Sequence, residues 1–249
     1  MAETFLILLA GGVMLAAAVS DPNKVTLNWL RLAGIVALSV GGLAVFFFFQ
    51  RDAGNRGGGT LMAAIVAVLG QLGFVQVAWR RTQRALAALA FVLAVAAGVS
   101  FHGRMEPLAV AVRLASCAGV AAMTGLALMD MLLGHAYLTA SKMTIAPFRR
   151  LNLWLAGAIG VRTVTAVAGP LLLNRWRPVE MLWGVYGLYM LTRWAVGLAV
   201  PAVFVYMAHD CIRRRSTQSA TGILYVTGVL VFIGEIVALY LLRETGLPF

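Results

Sequence analysis

The sequence predicts an all-α fold: a single polytopic transmembrane bundle of about eight spanning helices. Composition is the first reason. Hydrophobic residues make up 61% of the 249 positions and charged residues 12%, against roughly 45–50% and about 25% in soluble domains. That leaves too few polar side chains to cover a water-facing surface. The second reason is distribution: the apolar residues run the whole length of the chain, so one membrane domain over 1–249 is expected. The third is continuity. The apolar residues come in unbroken runs near the length of about 20 residues that crosses a bilayer, separated by short polar turns. Lipid offers backbone groups no partners, so such runs must be helices, and they lack the alternation of a membrane β-strand.

The first run, 4–20, ends at Asp21-Pro22-Asn23-Lys24, a turn by composition. The second, 28–49, carries Gly41-Gly42, as the first carries Gly11-Gly12, and glycine pairs let helices approach closely in lipid. Arg51-Asp52-Ala53-Gly54-Asn55-Arg56 and the glycines of 57–59 lead into 60–79, where Gln71 and Gln76 are the polar exceptions. Arg80-Arg81-Thr82-Gln83-Arg84 opens 85–101, and His102-Gly103-Arg104 with Pro107 opens 108–133. The longest loop, 139–150, mixes Lys142, Pro147, Arg149 and Arg150 with apolar residues, as an interfacial segment does. The run 151–173 follows, containing Gly169-Pro170. After Asn174-Arg175-Trp176-Arg177-Pro178 comes 181–208, where Pro201 removes the backbone bond to Gly197 and predicts a kink. Arg213-Arg214-Arg215-Ser216 precedes the last run, 220–242.

Charge sets the expected orientation. The net charge is +11. The arginines sit in short turns and form no continuous basic surface, which argues for anionic lipid and against nucleic acid as the partner. Lys24, Arg31, Arg80, Arg81, Arg84, Lys142, Arg149, Arg150 and Arg213, Arg214 and Arg215 fall on one side, and Arg51, Arg56, Arg104, Arg175, Arg177 and Arg243 on the other. The richer side is expected to face the cytoplasm of a cell (inner) membrane, with both termini outside. Glu3 has the wrong sign for a secretory n-region, although Ala-Ala-Ala-Val-Ser at 16–20 resembles a cleavage site. Cys117, inside a run, and Cys211, placed at a loop, have neither CxxC nor metal-ligand spacing, so no disulfide and no metal site is expected.

The informative positions are charges inside the runs: Arg113 and Asp130 in the fifth, Arg162 in the sixth, Arg193 in the seventh and Glu235 in the eighth. Each costs about 2.5–3.5 kcal/mol at the bilayer centre on insertion scales, so such groups face the bundle interior, pair, or line water. At about 1.5 Å per residue, Arg193 and Glu235 each lie roughly 22 Å from the cytoplasmic end of their runs, and Arg162 roughly 16 Å. Three charges on consecutive helices thus converge on one slab. Tyr189, one turn from Arg193, and Tyr225, on the Glu235 stripe, join them as candidate ligand or proton-site residues. Two readings stand side by side. Glu235 with either arginine is a buried ion pair locking three helices, or the cluster is a polar site for an anionic or quinone-like ligand. A second cluster, Asp130, His135 and His209, gathers toward the cytoplasmic face. Both histidines fall at the ends of runs, so haem ligation is not expected, and no lysine lies in a run to carry a retinal Schiff base.

No nucleotide loop, nucleophile elbow, HExxH or EF-hand pattern is present, so no catalytic residue is assigned and no catalytic activity by the chain alone is expected. In layout, and through Arg193-Trp194-Ala195-Val196-Gly197, Pro201 and Phe232-Ile233-Gly234-Glu235, the chain resembles the eight-helix, quinol-interacting membrane anchors of polysulfide- and dimethyl-sulfoxide-reductase type complexes. The likeness covers about a quarter of the chain, and those anchors are usually longer. It implies a cofactor-free subunit that binds quinone and serves other subunits of a membrane electron-transfer complex. A small transporter or channel using the Arg/Glu cluster for an anion or protons, and a purely structural membrane scaffold, are the alternatives; Pro201 and Gly169-Pro170 hint at the broken helices of the former.

Overall fold

The computed structural model describes residues 1–21, 24–50, 57–76, 79–101, 107–139, 144–173 and 176–249, and of these the side chains of all but 76, 139 and 176–183. The chain forms α1 (Ala2–Val19), α2 (Leu27–Phe49), α3 (Gly58–Gln76), α4 (Arg80–Ser100), α5 (Pro107–Thr139), α6 (Ala146–Leu172) and α7 (Trp176–Leu191). A π-helical segment (Thr192–Ala199), α8 (Val200–Arg213) and α9 (Thr217–Thr245) follow. Among the described residues eight helical stretches are long and apolar enough to span a bilayer, the seventh being Gly184–Arg213, and no strand is present. The all-α, eight-span expectation is therefore met. The turns expected at 51–56, 102–106 and 174–175, and Lys142 in the longest loop, lie outside the described residues.

The helices reach further than the apolar runs that announce them. The fourth span starts at Arg80, the fifth continues to Thr139, the sixth starts at Ala146 and the seventh ends at Arg213. An apolar run ends where hydrocarbon ends, whereas backbone groups in the interface still gain by bonding within the helix. Arginine stems lie along such ends and lift the guanidinium to water. Two expectations are corrected as a result. Cys211 is helical and half-buried instead of sitting in a loop, and His135 lies within α5, exposed on its surface, and not beyond its end.

α5 is the helix that both halves share: it packs on α1 and α4 on one side and on α6 and α9 on the other. Its crossing with α1 is backbone on backbone. A Cβ on Gly12 would sit 1.7 Å from the carbonyl oxygen of Ala121, and one on Gly125 would sit 1.9 Å from the carbonyl carbon of Gly12. Close small-residue contact of this kind is what holds helices together when lipid tails are as apolar as their side chains. Of the two glycine pairs read from the sequence, Gly12 works at this crossing and Gly11 lets Ala94 of α4 approach, while Gly41 meets only the Ile65 side chain closely and Gly42 faces open space.

The seventh span is the irregular one. Tyr186 leaves helical geometry with φ −115° and ψ 20°, and eight residues from Thr192 adopt π-helical bonding. The irregularity expected at Pro201 is real, but it falls on the turns before the proline. Proline has no N–H and crowds the preceding turn. Just before it, the Val200 N–H bonds to Ala195 O, five residues back, which completes the wide turn. Arg193 is carried inside that segment. The Gly169-Pro170 step produces no comparable break: α6 runs through it to Leu172.

Candidate functional site

Glu235 lies between two arginines. The Arg162 Nε–H donates to both its oxygens at 3.1 and 3.2 Å, and Arg193 Nη1 donates to Oε1 at 3.0 Å. The three side chains are at most 1% exposed. Two glycine contacts make this meeting possible. Gly197 and Gly234 bring the seventh and eighth spans into direct backbone contact, since a Cβ on Gly234 would stand 2.2 Å from Gly197 Cα. That crossing lies one turn from Arg193 and beside Glu235, so the glycines set the reach of the ion pair. On the other flank, a Cβ on Gly119 of α5 would come within 2.9 Å of Arg162 Cδ, so the arginine stem passes over a glycine-sized gap.

Arg162 has two further partners. Its Nη1 donates to Thr165 Oγ1 at 3.4 Å, and its Nη2 donates to the backbone oxygen of Phe249 at 2.6 Å. That oxygen arrives because the chain turns back after α9. Gly246 takes a left-handed conformation (φ 73°), which glycine adopts without strain. Leu247 and Phe249 then bury beside Met190 and Leu241, and Pro248 fits against Gly169, where a Cβ would meet its ring at 2.7 Å. The tail thus plugs the site from the side opposite the basic loops.

Arg193 is less fully served. Its Nε and Nη2 are buried with no hydrogen-bond partner among the described residues. Two guanidinium groups share the Glu235 carboxylate, and the cluster is left with two N–H-bearing atoms in excess. Burial of that kind is costly unless an acceptor arrives.

Arg162, Arg193 and Glu235, expected to meet from their depth alone, are brought together. Tyr189, one turn before Arg193 in the seventh span, makes no hydrogen bond to them; it is 42% exposed, in an aromatic row with Tyr186 (centroids 6.3 Å apart) and Tyr240 (5.0 Å). Tyr225 is not part of the cluster: it is 43% exposed, on the face of α9 turned away from the buried stripe of Leu224, Thr227, Gly228, Val231 and Glu235. Arg113 buries its Nη1 in α5 with no partner among the described residues.

The second cluster is only partly assembled. Asp130 is fully buried and accepts from Asn152 Nδ2 of α6 at 3.1 Å. His209 is half-buried at the end of α8 and lines a cleft with Asn152, while His135 is exposed on α5. Asn152 went unremarked in the sequence, although an Asn at the start of an apolar run is a legible signal. Phe249 carried no signal, because it acts through its backbone. Among the described residues no group of three or more His, Cys, Asp or Glu side chains is placed to hold a metal ion.

No family model, curated protein or solved structure matches this chain. The site is therefore read from its own chemistry.

Proposed function

We propose that this chain is the membrane-embedded binding subunit of an inner-membrane complex, and that the Arg162–Glu235–Arg193 cluster takes an acceptor-bearing lipophilic ligand of the quinone or lipid type. The observation that carries the reading is the pair of unpartnered nitrogens on fully buried Arg193. A quinone carbonyl or a lipid ester oxygen supplies the missing acceptor, and guanidinium is the side chain best suited to hold it. The π-helical segment supports the same reading, since π-bulges inside helices occur frequently at functional sites. Trp194, next to Arg193, provides a reporter. In the purified protein in lipid nanodiscs, a short-chain quinone quenches tryptophan fluorescence saturably, and Arg193→Met abolishes the saturable part while Trp79→Phe leaves it. Quenching that is linear in quinone, or equal in Arg193→Met, refutes the reading.

A second reading rests on the closure of the same three side chains: a buried ion pair whose role is to lock the sixth, seventh and eighth spans. If Arg193→Met removes the protein from the membrane and quinone neither binds nor stabilises the native chain, the lock is its whole function. The complex-subunit part is tested separately by gentle purification from native membranes, where partners co-migrate with this chain and a lone protein counts against it. Orientation, with the basic side in the cytoplasm, predicts that Cys211 reacts with a membrane-impermeant maleimide in inverted vesicles and not in intact cells.

A further inference from the structure

Near the basic side the structure holds the chemical opposite of the arginine cluster. Asp130 is fully buried, and its hydrogen-bond partner is a neutral amide: it accepts from Asn152 Nδ2 at 3.1 Å. Its Oδ1 has no partner, and neither has the Oδ1 of Asn152. The pair therefore presents two unpartnered acceptor oxygens and lacks one hydrogen. A single proton meets both needs: on Asp130 Oδ1 it turns the carboxylate into an acid that donates back to Asn152 Oδ1, closing a reciprocal acid–amide ring. It also removes a charge that lipid disfavours.

Asn152 forms part of the floor of a cleft of about 200 Å³ between α6 and α8, walled by Leu153, Ile159 and Val205, with Tyr206 and His209 as its titratable side chains. The imidazole Nδ1 of His209 is buried and unpartnered. Among the described residues, the remaining charged groups on this side of the helices packed around α5 are Asp21 and Lys24 after α1, Arg31 of α2, Arg80, Arg81 and Arg84 of α4, Arg149 and Arg150 of α6, Asp210 and Arg213 of α8, and Arg214 and Arg215 after it. None of them hydrogen-bonds or ion-pairs with Asp130. Asp210 is engaged by Arg214 at 2.8 Å.

We propose that Asp130 and Asn152 form an intramembrane proton-binding site, and that His209 exchanges its proton with the basic side of the membrane through the α6–α8 cleft. The exchange is a proton transfer only: the Asp130 O–H bond breaks, the electron pair stays on Oδ1, and the free imidazole nitrogen accepts the proton and passes it to water. His209 is a positioning and relay group; Asn152 holds the acid.

The test is infrared spectroscopy of the full chain in lipid nanodiscs. A protonated-carboxyl C=O band is expected that disappears in Asp130→Asn and shifts in Asn152→Leu. Transfer to D₂O shifts the same band, and His209→Phe slows that shift by about tenfold or more, on the scale of a lost acid–base group. Asp130→Asn is isosteric with the neutral acid and melts with the native chain. Absence of an Asp130-dependent carboxyl band overturns the site, and an unchanged exchange rate in His209→Phe overturns the relay. A native chain stabilised by added sodium or potassium, with that stabilisation lost in Asp130→Asn, also overturns it, because the charge is then met by a metal cation and not a proton.

Discussion

Two polar clusters lie in the same half of the bundle at different depths, and they are out of balance in opposite directions. The deep one, Arg162, Arg193 and Glu235, has more donors than acceptors and is bound by charge-assisted bonds of 3.0–3.2 Å. The other, Asp130 with Asn152, has more acceptors than donors and is bound by one amide hydrogen bond. The first joins three spans and needs an acceptor to complete it; the second joins two spans and needs a hydrogen. In lipid a surplus of either kind marks where the environment is expected to contribute something, and the sign of the surplus says what.

The largest effect separates the two. Glu235→Ala strands two buried guanidinium groups, and removing one partner of a buried pair costs about 3–5 kcal/mol. Asp130→Ala strands a single amide, which costs about 1–3 kcal/mol. Thermal unfolding of both variants in one detergent, followed by circular dichroism, should rank them in that order. Equal losses break the comparison and make Asp130 an unrecognised charge partner. A sharper version replaces the deep cluster by Arg162→Met, Arg193→Met and Glu235→Leu together. Well-packed apolar replacements of a buried triad are often neutral in stability. A stable triple variant that no longer binds quinone assigns the cluster to ligand; an unstable one assigns it to the fold.

A smaller effect concerns the glycine crossings that place each half. Gly197→Ala and Gly12→Ala both force a methyl group into a backbone contact, at 2.6 and 1.7 Å respectively, and overpacking of this kind costs about 1–3 kcal/mol. The two should differ in function, not in kind. Gly197→Ala pushes the seventh span from the eighth and lengthens the Arg193–Glu235 bond, so quinone binding weakens with stability. Gly12→Ala loosens α1 from the face of α5 opposite the one that carries Gly119 and Asp130, and should leave the affinity of the folded fraction unchanged. Isothermal titration of both variants distinguishes these outcomes.

What was legible in the sequence follows the same physics. Spans are visible because lipid demands an apolar run of fixed length, and charges inside a run are visible because they are expensive, so the meeting of Arg162, Arg193 and Glu235 could be inferred from depth. Direction around a helix was less visible. Tyr225 sits at a helical step from Glu235's stripe, yet its ring turns outward, because a stripe counted at three- and four-residue steps drifts over several turns of a helix. The π-helical segment was foreshadowed only as a kink at Pro201. Helix ends were placed too early, since apolar runs report hydrocarbon and not hydrogen bonding. The tail carried no chemical signal at all: Phe249 contributes a backbone oxygen, and every residue has one.

The smallest effect bears on that tail. Gly246→Ala places a side chain at φ 73°, a left-handed position that costs a non-glycine residue about 1–2 kcal/mol. The strain has an outlet, because 247–249 can release from the site without unfolding any span. Arg162 then loses the Phe249 oxygen at 2.6 Å, and the cluster gains a third open position for an acceptor beside the two on Arg193. If the tail oxygen stands where a ligand oxygen would, quinone should bind the Gly246→Ala variant more tightly, by up to about tenfold for each 1.4 kcal/mol of tail docking lost, while the melting temperature falls slightly. A ligand-binding site tightens when its plug loosens, whereas a purely structural lock only weakens. Tryptophan quenching measured beside thermal unfolding on this one variant therefore reads out which of the two the deep cluster is: opposite movements of affinity and stability mean a plugged site, and a fall in stability with no gain in binding means a lock.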